Sequence, residues 1–530
     1  MVAGTASDRK DEYMTVVTPL HRRISVRAGA ALALLAAALA VPGSAAAAPT
    51  AGTVRWAECT EEGLLGFDCA TTEVPLDYDK PHGATTTIAL ARRPADDPAH
   101  KIGTIFVNPG GPGGPGRGMV TVAGEIVAPD VLARFDLVGF DPRGIGASDP
   151  VQCFATDAEA EALYARMRIV PLSRAEISST IGANLAYTKG CVKNAGPLLA
   201  HMSTLNVAKD LDRLRQAVGD AKLSYIGYSY GTLIGATYAN LFPSRVRAVI
   251  IDGNVDPDQR TNHRLANKFE RAGGFEIVLD AFLRECDKAV ATCAFTGDAR
   301  TKFDRLRDRL RQGPATLPEL GTVTIDDLTD FISGSMYNVA DWPDTAATLQ
   351  FAYDAIFGGV TPSTLAAHSL PKAKARPGWS PDAYSYNGND AGLAVNCADA
   401  PLPRNPALYP GIADAFEAAS PTFGRAEAFS EVACANWPAT TERYHGPWNR
   451  RTAQTVLVVN PTHDPATRYD FALRMTRELG NARLLTLDGF GHTTRYSACI
   501  TGWYSRYLID GALPPAGTHC QQDLAPFPAA

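Results

Sequence analysis

The stretch Leu223-Ser224-Tyr225-Ile226-Gly227-Tyr228-Ser229-Tyr230-Gly231-Thr232 constrains the fold of this chain more than any other. A short apolar run rich in strand formers ends in Gly-x-Ser-x-Gly, and residues 233–239 follow with helical character. The pattern predicts a serine held on a sharp strand-to-helix turn, its hydroxyl exposed as a nucleophile. Glycine is required on both sides of Ser229, because a side chain at either place would crowd the turn. A turn at a helix N-terminus also faces backbone N–H groups and the positive end of the helix dipole toward any developing oxyanion. So this one stretch calls for a parallel sheet with helices packed on it.

At 530 residues the chain exceeds one ordinary core, which implies two domains or one domain with a large insertion. A net charge of −6 gives no electrostatic footprint for nucleic acid. Arg22, Arg23 and Arg27 precede an apolar run from residue 28 to 41, followed by Pro42-Gly43-Ser44 and a series of alanines. This is the layout of a secretory signal, assigned to residues 1–46 with cleavage among Ala45 to Ala48. The apolar run falls short of the roughly 20 residues a membrane span needs, so no stable anchor is expected after cleavage. The ten cysteines all lie beyond the leader, at 59, 69, 153, 191, 286, 293, 397, 434, 499 and 520. An even number in an exported chain reads as disulfides, and pairing sequence neighbours would close five short loops, although sequence leaves the connectivity open. The spacings of a zinc site are missing, so neither metal nor cofactor is expected.

Along the chain, residues 73–94 read as a hairpin, and residues 103–107 as a strand entering the loop Asn108-Pro109-Gly110-Gly111-Pro112-Gly113-Gly114-Pro115-Gly116. That loop lacks the Gly-Lys-Ser/Thr ending of a phosphate cradle, and its place before the serine turn suits a donor of a second oxyanion N–H. Residues 135–140 make the next buried strand, and Asp141 with Arg143 is read as an ion pair at the tight loop that follows. Residues 150–200 look like an insertion bracketed by Cys153 and Cys191, and residues 204–218 like an amphipathic helix. Strand–helix alternation lapses from residue 254 to about 451, where the pattern is mainly helical, and resumes with strands at 455–459 and 483–487 and helices at 469–479 and 498–508. The expected architecture is a mostly parallel sheet with helices on both faces and a large, mainly helical cap inserted between core strands. Its segments are a first core part at 47–254, the cap at 255–451 and a second core part at 452–530.

A serine nucleophile needs a base for its proton and an acid to orient that base. Asp464 directly follows the 455–459 strand, and His492 follows the 483–487 strand in a Gly-x-Gly-His turn. The order Ser229, Asp464, His492 is the one this architecture uses, and side chains beyond the carboxyl ends of parallel strands converge there. Asp252, also just past a core strand, is the rival acid; His463 and His445 are rival histidines in poorer chain positions.

Several of these elements resemble the secreted actinobacterial tripeptidyl aminopeptidases, α/β-hydrolase serine peptidases related to proline iminopeptidases. The matching motifs are Asn108-Pro109-Gly110-Gly111-Pro112-Gly113, Asp141-Pro142-Arg143-Gly144-Ile145-Gly146-Ala147-Ser148, Gly227-Tyr228-Ser229-Tyr230-Gly231-Thr232, Asn396-Cys397-Ala398-Asp399, Asp464-Pro465-Ala466-Thr467 and Gly491-His492, spread in order over nearly the whole chain. The resemblance implies the α/β-hydrolase fold, Ser229 as nucleophile, His492 as base, Asp464 as acid, and the N–H groups of Gly111 and Tyr230 as oxyanion donors. It implies an exported enzyme, taken as a monomer, that acts on peptides with a free N-terminus; carboxylesterases share the layout, so small esters are the alternative substrates. An exopeptidase must also hold the substrate's α-amino group on a carboxylate, for which Asp399 is the first candidate.

Overall fold

Uninterrupted apolar strands form where both faces of a sheet are covered, and four runs of this chain have that character. They are β4 (Gly103–Asn108), β5 (Phe135–Phe140), β6 (Leu223–Tyr228) and β7 (Val246–Asp252), all almost wholly buried. The protein was analysed as a computed structural model that describes residues 53–318, 320–358, 390–438 and 442–529. The expected leader, residues 1–46, lies outside them.

Six further strands complete the main sheet: β1 (Ala57–Glu58), β2 (Asp68–Pro75) and β3 (Thr85–Arg93) on one side, and β10 (Val456–His463), β11 (Ala482–Phe490) and β12 (His519–Gln521) on the other. The spatial order is β1-β2-β3-β5-β4-β6-β7-β10-β11-β12. Pairings from β1 to β5 are antiparallel, and every pairing from there to β12 is parallel. Alternate residues divide between two cores. Phe106, Val249 and Ile251 face one side, with Leu211 and Leu214 of helix Thr204–Ala217 and Leu233 of helix Gly231–Leu241. Ile105, Val107, Ala248 and Ile250 face the other, with Val131 and with Tyr504 and Leu508 of helix Ala498–Asp510. This is the α/β-hydrolase fold with a mostly parallel sheet.

Between β7 and β10 the described chain is helical apart from the small hairpin β8 (Ala315–Leu317) and β9 (Gly321–Val323). Helices Arg264–Lys288, Ala299–Arg311, Ile325–Ser335 and Trp342–Tyr353 enclose their own core around Phe282, Phe303, Ile332 and Trp342. Ala466 and Phe527 join that core, so this stretch packs directly on the sheet-bearing part.

All ten cysteines pair with their sequence neighbours, as Cys59–Cys69, Cys153–Cys191, Cys286–Cys293, Cys397–Cys434 and Cys499–Cys520. One expectation needs correction. Asp141 and Arg143 do not pair with each other. Arg143, fully buried, makes a two-pronged ion pair with Asp210 at 2.6 and 2.7 Å and donates to the carbonyls of Pro75 and Leu76. Asp141 instead accepts from the backbone N–H groups of Arg117 and Ala147 at 3.0 and 2.9 Å, and so ties the loop down. A planar guanidinium buried this deeply needs a carboxylate that meets both its prongs, and Asp210 on the neighbouring helix presents one. Among the described residues no helix is long and apolar enough to cross a membrane.

Candidate active site

Ser229 sits between the end of β6 and helix Gly231–Leu241 with φ +55°, a left-handed conformation that is strained for a non-glycine residue. Its N–H donates to Asp252 O at 2.9 Å, and its carbonyl accepts from the N–H and hydroxyl of Thr232. A Cβ on Gly227 would lie 2.5 Å from Gly231 O, and one on Gly231 would lie 2.9 Å from Asn108 Oδ1. Both glycines are therefore required by close packing, as the sequence pattern indicated. The glycine-rich loop after β4 comes equally near, since a Cβ on Gly110 (φ +89°) would meet Tyr228 O at 2.3 Å and Tyr230 N at 2.9 Å. Among the described residues the N–H groups of Gly111 and Tyr230 have no hydrogen-bond partner, and both residues share a cavity with Ser229.

Parallel register brings the other two side chains to the same edge. Asp252 pairs with Tyr228 across β6 and β7 and with Val459 across β7 and β10, and His463 pairs with Phe490 across β10 and β11. Asp464 and His492 therefore emerge from adjacent strand ends. His492 Nδ1 lies 2.9 and 3.0 Å from the two Asp464 oxygens. The carboxylate also accepts from the N–H groups of Ala466, Thr467 and Thr493 at 2.9, 2.7 and 3.2 Å, which fixes its orientation. With Nδ1–H donated to Asp464, the imidazole lone pair sits on Nε2. Thr467 Oγ1 lies 3.2 Å from the same Nδ1, and Thr467 lines the cavity that Ser229 lines. From the cap, Tyr337 O accepts from the His492 N–H at 2.8 Å and the Tyr337 ring meets the imidazole edge-on at 5.0 Å.

The rivals are placed elsewhere. Asp252 accepts from the Thr494 N–H and hydroxyl and from Tyr504 OH, and burial raises its carboxyl to about 6. His463 lies beside Thr462 and against the ring of Phe490, where burial lowers its pKa. His445 is exposed. Asp399 is buried and bound to the N–H and hydroxyl of Thr204 at 2.8 and 2.6 Å, and the Thr204 hydroxyl in turn meets Tyr230 OH. It acts as a borrowed cap for helix Thr204–Ala217 and is not among the residues lining the cavity.

The cavity measures about 1040 Å³. The 150–200 insertion contributes Gln152, Tyr164 and Tyr187 to its wall, beside residues of the 255–451 stretch. Part of the wall is charged. Arg264, Lys268 and Arg271 recur at i, i+4 and i+7 on one face of helix Arg264–Lys288, and Arg260 and Glu431 line the cavity beside them. Arg264 Nε donates to Glu431 at 2.9 Å, and Lys268 Nζ lies 3.4 Å from Glu431 and 2.9 Å from Glu427. Burial pushes the Glu431 carboxyl up, but Arg264 and Lys268 outweigh it and hold the group well below the usual carboxylate range. Burial pushes the Lys268 ammonium down to about 7.

Residues 420–520 match the TAP-like protein family and residues 103–276 the alpha/beta hydrolase fold family. Serine protease Hip1 of Mycobacterium tuberculosis is 33% identical over 490 residues, covering 88% of this chain and 91% of that one. Carboxylesterase B of the same species is 32% identical over 90% of this chain and 91% of its own length. The tripeptidyl aminopeptidase of Streptomyces lividans is 30% identical over 92% of this chain and 89% of its own. With a serine on a strained strand-to-helix turn and homology over nearly its whole length, the chain belongs to the tripeptidyl-aminopeptidase-like family of α/β-hydrolase serine hydrolases.

Proposed function

We propose that this protein is an exported serine exopeptidase that hydrolyses peptide bonds near a free N-terminus and releases short units, tripeptides foremost, through Ser229, His492 and Asp464. The observation that carries the reading is the shared cavity. Ser229, the free N–H groups of Gly111 and Tyr230, and Thr467 against the His492–Asp464 pair all meet there, under a wall supplied by the cap. In the reaction His492 Nε2 takes the Ser229 hydroxyl proton as Oγ attacks the substrate carbonyl. The Gly111 and Tyr230 N–H groups hold the oxyanion, and imidazolium then protonates the departing amine. Water repeats the sequence on the acyl-enzyme.

The α-amino group of the substrate requires a carboxylate once it leaves water. Asp399 does not line the cavity, so Glu431, the carboxylate among the described lining residues, takes that role beside the Arg264 and Lys268 cations it already meets. Five disulfides support a site of action in an oxidising compartment outside the cytoplasm. Identity to a carboxylesterase over nearly the full chain supports the second reading, ester cleavage by the same three side chains.

Paired fluorogenic tripeptide amides, free and N-acetylated, decide between them, with Ser229→Ala as the blank. Cleavage of the free-amine member alone is expected. Equal cleavage of the acetylated member refutes the exopeptidase, and turnover of short-chain esters without any amide cleavage moves the assignment to the esterase.

A further inference from the structure

Three of the four cations on the cap wall are answered by carboxylates. Arg264 and Lys268 share Glu431, and Lys268 and Arg271 share Glu427. The fourth, Arg260 on the short helix Pro257–Asn262, is 4% exposed and bonds no carboxylate among the described residues. Its Nη2 donates to the neutral side-chain oxygen of Asn396, and its Nη1 has no hydrogen-bond partner. Glu431 and Asp399, which Arg260 senses at longer range, spend their own oxygens on Arg264 and Lys268 and on Thr204 respectively.

A guanidinium cannot shed its proton to escape such a position, and its five donors match the two oxygens of a carboxylate. A buried charge without a partner is the costly arrangement in a protein interior, and an unmade bond at a buried donor adds to that cost. Burial and the neighbouring Arg264 push the Arg260 guanidinium down to about 10, so an arriving anion would be met by a cation already stripped of water. Arg260 and Asn396 both line the cavity that contains Ser229.

We propose that Arg260 forms an anion subsite of the catalytic cavity and takes a carboxylate of the bound substrate. The proposal rests on the cleavage reading above only in that the cavity delivering the carbonyl to Ser229 also receives this carboxylate. Two sources share that chemistry, an Asp or Glu side chain of the peptide and the C-terminal carboxylate of a short one. Glu431 and Arg260 would then read opposite charges on one substrate, and a peptide offering both an ammonium and a carboxylate would satisfy both.

The test uses free-amine tripeptide amides carrying Glu or its isostere Gln at each of the three positions in turn, with tetrapeptides bearing a free or amidated C-terminus as a parallel series. A charge-assisted hydrogen bond to a desolvated partner predicts a kcat/KM about tenfold or more higher for the anionic member of one pair. A preference in the first series identifies the side chain as the source, and one in the second identifies the C-terminus. The ratio should collapse toward unity in Arg260→Gln and survive in part in Arg260→Lys. Parity of every pair in the wild type, or a preference unchanged in Arg260→Gln, overturns the subsite. Competition on the wild type keeps the test independent of how the variants fold, with glutarate expected to inhibit and glutaramide not. Should no amide be cleaved, the peptidase reading fails by itself, and glutarate inhibition of p-nitrophenyl acetate turnover still decides the subsite. Equal effects of glutarate and glutaramide there refute it.

Discussion

The two walls of the cavity are built on opposite principles. The sheet-side rim uses backbone: N–H groups of Gly111 and Tyr230, a serine on a strained turn, and a carboxylate pinned by three main-chain donors. The cap wall uses side-chain charge, four cations of which three meet the carboxylates Glu427 and Glu431 from a distant part of the sequence. Backbone donors are placed by strand register and glycine, so they tolerate almost no change. Side-chain charges are placed by packing, so their identity can vary while the fold stays the same. The proposed function assigns the chemistry to the rim and selectivity to the wall.

The largest effect expected from breaking the rim is at Asp464, the proposed acid. Asp464→Asn removes the negative charge and can turn an amide N–H toward Nδ1, favouring the wrong imidazole tautomer, and should lower kcat by about 10⁴-fold, whereas Asp252→Asn should cost less than about tenfold. Asp252 bonds Thr494 and Tyr504 and not His492. The reverse ranking in steady-state kinetics would assign the acid role to Asp252.

Next in size is a contrast between glycines. Gly110→Ala places a methyl 2.3 Å from Tyr228 O at φ +89° and should displace the loop that offers the Gly111 N–H, lowering kcat by about 10²-fold or more. Gly411 lies exposed in helix Tyr409–Ala419 of the cap with nothing near its Cβ position. Gly411→Ala should raise stability by up to about 1 kcal/mol without changing turnover, read by denaturant unfolding and kcat together. A fall in kcat in Gly411→Ala as large as that in Gly110→Ala would erase the distinction between the walls.

On the cap wall, Glu431→Gln leaves Arg264 and Lys268 short of an anion. Removing one partner of a buried pair predicts a loss of about 3 kcal/mol and a lower Tm. The role given to Glu431 adds a raised KM for free-amine peptides with esters little affected. A Tm loss with KM unchanged would leave Glu431 with a structural part only.

The same division governs what the sequence made legible. Strand runs such as residues 135–140 and 223–228 were visible because strands buried on both faces show as continuous apolar segments, and the chain order of Ser229, Asp464 and His492 followed from them. The short strands β1 and β12 carry no such run and were missed. The partner of Arg143 was misassigned because a long side chain reaches Asp210 across 67 positions, and nearness in sequence pointed to Asp141. The cap wall was missed for the same reason. Arg264, Lys268 and Arg271 do share a helical face in the sequence, a signal that was available, but solvated basic faces look alike until packing shows Glu427 and Glu431 opposite them. Asp399 was singled out for its charge, whereas its position beside the N-terminus of helix Thr204–Ala217 depends on packing that no local pattern records.

A pH dependence bears on the cost of a wall made of charge. Lys268 is 4% exposed, and burial holds its native pKa at about 7 against 10.5 for an ordinary lysine. Between those values the native protein binds fewer protons at this site than the unfolded chain does, so stability rises with pH across the window. The penalty for burying the ammonium is therefore full below about pH 7 and is relieved progressively above it. The groups facing Lys268 are Glu427, Glu431, Ser430, Arg264, Arg271 and, at longer range, Arg260, and Glu431 is held well below the usual carboxylate range, so it keeps its charge across the window. Thermal unfolding of the wild type relative to Lys268→Gln, followed from pH 7 to 9.5, should show the difference in Tm moving steadily in favour of the wild type. A flat difference would mean that Glu427 and Glu431 compensate the ammonium fully. The cap wall would then resemble the rim, with its internal charges settled and Arg260 alone left for an incoming carboxylate.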